Sequence, residues 1–180
     1  TLLNEKLGFA YDSKFGYLTE CPTNIGTGLR ASYMLHLPIC ENRGEINMIA
    51  DAAGKIGLTV RGMYGEGSKS AASLYQISNQ ITLGISEKNA IENLKIIAEQ
   101  IIDREKQGRV ALDKINLEDT VYRSFGALKF ARIMSSEEFM KHISMIKLGI
   151  DEGIIDCKTL QPVELQISST AFRSEAAALG

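Results

Sequence analysis

Cys21-Pro22-Thr23-Asn24-Ile25-Gly26-Thr27-Gly28-Leu29-Arg30 runs directly into Ala31-Ser32-Tyr33-Met34-Leu35-His36-Leu37, which stops at Pro38. The second piece alternates in part, with Tyr33, Leu35 and Leu37 on one side, and a proline cannot continue a sheet ladder, so the pattern predicts a strand over 30–37. The first piece is a loop of small polar residues and glycines, with a cysteine near one end and an arginine at the other. Leu58-Thr59-Val60 and Leu74-Tyr75-Gln76-Ile77 read as two further short strands. Between them Arg61-Gly62-Met63-Tyr64-Gly65-Glu66-Gly67-Ser68-Lys69-Ser70 is a glycine-punctuated polar loop. Residues 1–84 are therefore expected to be rich in strands and loops.

Beyond Gly84 the period changes from two to about 3.6. Ser86 is a suitable N-cap, Ile91, Leu94, Ile97, Ile101 and Ile102 recur at helical spacing, and Gly108 reads as a C-terminal stop. A second helix is expected over 117–132. A third starts at Ser135, whose hydroxyl and Glu138 form a candidate capping box, and ends near Gly153, with Phe139, Ile143, Ile146 and Ile150 on its apolar face. Residues 85–155 are thus helical, and 156–180 form a tail with little pattern. With no internal repeat and no Pro-rich linker, one α+β domain over 1–180 is the economical reading.

The 180 residues carry 20 Lys and Arg against 22 Asp and Glu, a net charge of -2, with 44% hydrophobic residues. A chain so balanced is not built to neutralise a nucleic-acid backbone, and it has no polybasic cluster for a membrane surface. No apolar run approaches the ~18 residues that span a bilayer, and the N-terminus has no signal-peptide pattern. Three cysteines do not make a disulfide framework, so a reducing, cytoplasmic setting is expected. Beginning at Thr1 rather than Met, the chain reads as a fragment or a processed piece.

Two segments carry candidate chemistry. The Cys21–Arg30 loop brings together a thiol, backbone N–H donors and a fixed cation, which suits an anion, while the plain alternative is a tight turn around a structural cysteine. In the 61–70 loop the glycines allow close backbone approach, Arg61 offers a planar fork for phosphate oxygens, and Glu66 places a carboxylate among them. That carboxylate would repel a phosphate, and it makes sense beside a cationic second substrate such as a guanidinium, which it can orient and deprotonate. The plain alternative is a solvated surface loop. Neither segment has the Walker or dinucleotide-binding spacing. His36, His142, Cys40 and Cys157 show no metal-ligand spacing, so no metal site is expected, and the two cysteines read as structural.

From about Glu5 to Ile155 these segments together resemble the ATP:guanidino phosphotransferases, the family of arginine and creatine kinases and of the bacterial protein arginine kinases. The resemblance is carried by Tyr17-Leu18-Thr19, Cys-Pro-Thr-Asn at 21–24, Gly-Thr-Gly-Leu-Arg at 26–30, Ile-Ser-Asn at 77–79 and Leu83-Gly84. Met34, Arg-Gly-Met-Tyr-Gly-Glu-Gly-Ser at 61–68 and Gln76 to Gln80 look like the bacterial branch. The resemblance implies an antiparallel sheet flanked by helices, a guanidino kinase catalytic domain incomplete at its N-terminus, and an enzyme using ATP and Mg2+. It implies catalytic roles for Cys21, Asn24 and Glu66: Cys21 as the thiolate beside the guanidinium and Glu66 as the carboxylate that binds it and accepts its proton. Nucleotide contacts fall to Arg30, Ala31, Ser32, Tyr33 and Met34, and to Arg61, Gly62, Met63, Tyr64, Gly65 and Glu66, with Arg30 and Arg61 clamping phosphates. The implied partners are proteins with exposed arginines, a Clp protease system, a stress-response repressor and a second copy of the chain. A kinase for free arginine or another small guanidino compound, and a non-catalytic remnant serving as a binding module, are the alternatives.

Overall fold

The structure, a computed structural model, describes residues 2–63 and 70–156. A short helix α1 (Leu2–Leu7) leads into a two-stranded ribbon, β1 (Tyr11–Asp12) and β2 (Gly16–Tyr17). The ribbon turns on Asp12, whose carboxylate accepts from the N–H groups of Lys14 and Phe15, and Tyr17 meets the edges of Phe9 and Tyr11.

The main sheet has three strands, β3 (Ser32–His36), β4 (Leu58–Gly62) and β5 (Leu74–Asn79), in the order β3-β5-β4 with both pairings antiparallel. β3 and β4 therefore run in the same direction, joined by α2 (Pro38–Asn42) and α3 (Ile46–Lys55). Pleating divides the side chains. Leu35, Leu58, Tyr75 and Ile77 point to the face covered by helices, where Leu37, Cys40, Ile49, Leu94 and Ile101 complete the core. On the other face Ser32, Met34, Gln76 and Arg61 are exposed.

The first half is thus more helical than its sequence suggests, and the strand predicted over 30–37 is shorter. Pro38, read as a strand stop, is also the first residue of α2, where its missing N–H costs nothing. α3 buries only Ile46, Ile49 and Ala53, a stripe too short to stand out from a strand by periodicity. Tyr33 shares its face with Leu35 but remains 40% exposed near the end of the sheet.

α2 has no cap of its own. The carboxylate of Glu105, 3% exposed, accepts from the N–H of Ile39 at 3.2 Å and of Cys40 at 2.9 Å, and also from Arg109 Nε at 3.2 Å. It comes from α4 (Glu87–Val110), which presents Ala90, Leu94, Ala98, Ile101, Glu105 and Gly108 as one buried stripe. Ser86 caps α4 as expected, accepting from Asn89 N–H. Gly108 is not its stop: the helix runs on to Val110, and a Cβ at 108 would lie 2.7 Å from Ile39. Ile91, expected on the buried face, is 46% exposed.

α5 (Lys114–Phe130) and α6 (Ser136–Asp151) form a hairpin around Val121, Ile146 and Ile155. α5 starts three residues before the expected 117 because Asp113 caps it, and Ser135 caps α6 by accepting from Glu138 N–H. Phe139 and Ile146 are buried as expected, whereas Ile143 is 37% exposed. A hydrogen-bonded chain ties α6 to the sheet: His36 Nε2 meets Ser144 Oγ at 2.9 Å, and that hydroxyl donates to Ser73 Oγ.

Candidate active site

The Cys21–Arg30 loop is built on a short turn. Cys21 precedes one turn of 3-10 helix over Pro22–Asn24, closed by Asn24 N–H donating to the Cys21 carbonyl at 3.0 Å. Thr19 Oγ1 donates to that carbonyl too, at 2.7 Å. The Cys21 thiol is exposed and lies 3.0 Å from Thr23 Oγ1. Hydrogen bonds from the Thr23 hydroxyl and N–H, helped by the Arg30 charge, hold its pKa below the ordinary thiol value. That environment raises the share of thiolate at a given pH, the form in which cysteine acts as a nucleophile or an electrostatic partner.

Arg30 Nη1 donates to Asn24 Oδ1 at 3.4 Å, so the two ends of the loop meet. The middle is pinned by Tyr17 and Gly26, which exchange backbone bonds of 2.8 and 3.2 Å, and by Thr27 N–H donating to the Thr82 carbonyl at 3.0 Å. Gly26 sits at φ +111°, and a Cβ there would run into the Thr82 carbonyl. Only glycine permits both that dihedral and that approach.

The bare face of the sheet carries the second set of residues in register. Ser32, Ser78 and Thr59 form one row across β3, β5 and β4, and Met34, Gln76 and Arg61 form the next. Gln76 Nε2 donates to Ser32 Oγ at 3.0 Å and ties the rows together. Arg30 precedes the Ser32 row by two residues. Four residues along a strand and two strands across give about 13 Å and about 10 Å of separation between Arg30 and Arg61. Two extended guanidinium side chains can close that distance on one polyphosphate. Of the residues expected to touch nucleotide, Arg30, Ser32, Met34 and Arg61 are exposed, whereas Ala31 packs against the core. Gly62 is buried at the end of β4, and Met63 N–H donates to the Leu74 carbonyl. Tyr64, Gly65 and Glu66 lie outside the described residues.

Cys21, Arg30 and Arg61 are all exposed. Two cavities among the described residues, of about 530 and 520 Å³, lie between α3 and α4 and beside the β1-β2 ribbon; neither is lined by Cys21, Arg30 or Arg61. The remaining candidates are separate from these residues. Cys40 is buried, and burial together with Glu105 pushes its thiol up to about 12, so it is inert at neutral pH. His142 faces Glu138 on α6 at 3.9 Å, and Cys157 lies outside the described residues. No group of three or more His, Cys, Asp or Glu residues able to hold a metal occurs among the described residues. Among them, too, no helix is long and apolar enough to cross a membrane.

Two polar residues close to the loop escaped the sequence reading as parts of its machinery. Asn79 and Thr82 are 2% and 3% exposed, and both bond to the loop's backbone. Their partners lie some fifty or more residues earlier in the chain, a separation no local pattern can register.

Comparison with known proteins bears on this arrangement. Residues 1–108 match the family described as ATP:guanido phosphotransferase, C-terminal catalytic domain, and residues 114–171 match the protein-arginine kinase McsB C-terminal domain. The chain is 55% identical over 157 residues to the protein-arginine kinase of Halothermothrix orenii, covering 86% of this chain and 45% of that protein. It is 48% identical over 171 residues to that of Caldanaerobacter subterraneus, covering 92% of this chain and 51% of that one. The chain thus spans about half the length of the curated relatives it matches. Among solved structures, the duplicated taurocyamine kinase of Schistosoma mansoni with bound transition-state analog components superposes with a TM-score of 0.50 at 33% identity, over 58% of this chain and 14% of that one. With that match over more than half its length, the chain belongs to the ATP:guanido phosphotransferase family through its C-terminal catalytic domain.

Proposed function

We propose that the chain is the C-terminal part of the catalytic domain of a protein arginine kinase, which transfers the γ-phosphoryl group of ATP to the guanidino group of arginine side chains in proteins. The observation that carries this reading is the Cys21–Arg30 loop, where a thiol with a lowered pKa and an arginine fork share one exposed surface. The relatives named protein-arginine kinase favour the protein substrate over a small guanidino compound.

A guanidinium is protonated at neutral pH and its lone pairs are delocalised, so it attacks phosphorus poorly. The Cys21 thiolate holds and polarises it, and Glu66 takes the proton released from the attacking nitrogen. A P–N bond forms as the bond between the γ-phosphorus and the bridging oxygen breaks, and ADP leaves. Arg30 and Arg61 neutralise the phosphate oxygens, and Mg2+, when bound to the nucleotide, supplies further charge neutralisation. Placing both reactants in line supplies up to roughly 7–11 kcal/mol. No covalent enzyme intermediate is needed. The same resemblance extends the proposal to a cytoplasmic, homodimeric enzyme that marks proteins for a Clp protease system and acts on a stress-response repressor.

Competition between acceptors tests this function. The chain, alone and mixed with the complementary N-terminal half of a curated relative, is incubated with MgATP, an arginine-rich unfolded protein and free arginine. Mass spectrometry at neutral pH then locates the phosphate. Phosphoarginine in the protein is expected; phosphate on free arginine alone would overturn the protein substrate, and phosphate on hydroxyl groups would overturn the chemistry.

A further inference from the structure

Asn79, the last residue of the sheet's central strand, and Thr82, three residues beyond it, are almost wholly buried and hold the loop in a specific way. A buried amide or hydroxyl is retained where its bonds are made, so those bonds show what each residue fixes. Asn79 Oδ1 accepts from Ala31 N–H at 2.8 Å, and its Nδ2 donates to the Leu29 carbonyl at 2.9 Å and, at longer range, to that of Ile81 at 3.4 Å. One side-chain amide thus grips the peptide groups on both sides of Arg30. Thr82 Oγ1 lies 3.0 Å from the Thr23 carbonyl and 2.8 Å from that of Ile25, so its hydroxyl is shared between the two carbonyls that bracket the Asn24–Ile25 peptide group. Asn24 is the residue that accepts from Arg30, and Thr23 is the residue whose hydroxyl and N–H lower the Cys21 pKa.

We propose that Asn79 and Thr82 are positioning residues: Asn79 sets the direction in which Arg30 leaves the backbone, and Thr82 sets the Thr23–Asn24 turn that presents donors to Cys21. The inference rests on the reading of Arg30 as a phosphate clamp and of Cys21 as the working thiolate. Neither residue touches substrate. Each acts through another part of the loop, and the two are buried three residues apart, at the end of β5 and in the segment that follows it.

Cys21 alkylation by iodoacetamide, followed by residue against pH in the full chain, tests the Thr82 arm. Thr82→Val, which keeps the shape and loses the hydroxyl, is expected to move the Cys21 midpoint up toward the ordinary thiol value and slow alkylation at pH 7 at least threefold. Thr82→Ser restores the wild-type profile. A folded Thr82→Val chain with the wild-type profile would overturn this arm. For Asn79, MgATP affinity is measured in a double-mutant cycle: Asn79→Ala is expected to weaken binding about tenfold with Arg30 present and to have no effect in Arg30→Ala. Equal losses in both backgrounds would mean a general structural role and overturn it. A wild-type chain that binds no MgATP yet shows the Thr82-dependent thiol profile would sink the phosphate-clamp reading while supporting the positioning of the turn. Should the variants not fold, hydrogen exchange in the wild type decides: strong protection is expected at the Ala31 amide, which donates to Asn79 Oδ1, and at the Asn24 amide, which closes the turn that Thr82 holds, and loop-like exchange there would overturn the proposal.

Discussion

Replacing Glu105 by alanine removes the acceptor that closes the start of α2 and should cost about 3 kcal/mol. Both carboxylate oxygens are engaged, with the N–H groups of Ile39 and Cys40 and with Arg109 Nε, and the side chain is 3% exposed, so water cannot take its place. A lost helix cap costs about 1 kcal/mol, and breaking a buried charged pair typically about 3–5 kcal/mol. The lower end applies because Arg109 is not stranded: its Nη1 stays within 3.3 Å of Asp151 and 3.6 Å of Glu152. In a domain of this size about 3 kcal/mol corresponds to a fall in Tm of roughly 6–12 °C. Glu105→Gln keeps one acceptor and loses the charge, and it should cost about half as much. Urea unfolding followed by far-ultraviolet circular dichroism measures both variants. A Glu105→Ala chain within about 0.5 kcal/mol of wild type would refute the argument that this carboxylate caps α2.

Further outcomes follow from other parts of the structure. The His36 imidazole is pushed down to about 4, first by burial and then by the charges of Lys147 and Arg109, against Asp151. Because its folded value lies below the unfolded value near 6.5, the unfolded chain takes up the extra proton, and stability is lost as pH falls from about 6.5 to about 4. After allowance for solvent screening the loss should be about 1–2 kcal/mol, and His36→Gln should flatten that part of the stability profile; an unchanged slope would contradict it. Gly26→Ala should destabilise the chain by about 1–3 kcal/mol and abolish the low-pKa behaviour of Cys21, because both the positive φ and the approach to Thr82 exclude a side chain. In the wild type, thiol labelling at pH 7 should modify Cys21 while Cys40 reacts only on unfolding; rapid labelling of Cys40 in the folded chain would contradict its burial.

The sequence announced the helical half most clearly, because caps and stripes are local signals. Ser86 and Ser135 mark the starts of α4 and α6 by hydroxyls that accept from amides three residues on. Gly108 misled because a glycine that ends a helix and a glycine that admits a neighbouring helix are the same letter, and only the packing of Ile39 distinguishes them. α2 was invisible for a similar reason. Its cap comes from Glu105, more than sixty residues later, and Pro38 fits either the end of a strand or the start of a helix. In the site, Cys21 and Arg30 were legible as a thiol and a cation bracketing a glycine loop. The division of β3 between two faces, with Ser32 and Met34 on the side of Arg61, needed the register with β5 and β4. Asn79 and Thr82 were not legible as parts of the loop, since they bond backbone atoms whose chemistry is the same in every sequence.

Phosphorus NMR of the transfer reaction is the sharpest test of the proposed chemistry. The chain, supplemented with the complementary half of a relative, is incubated with MgATP and an arginine-rich unfolded protein, beside Glu66→Gln and Cys21→Ala as controls. A phosphoramidate resonance on the protein, with matching ADP, is expected, strongly reduced in Cys21→Ala and lost in Glu66→Gln. A phosphate-ester resonance, or a phosphoramidate of equal intensity in all three samples, would contradict it.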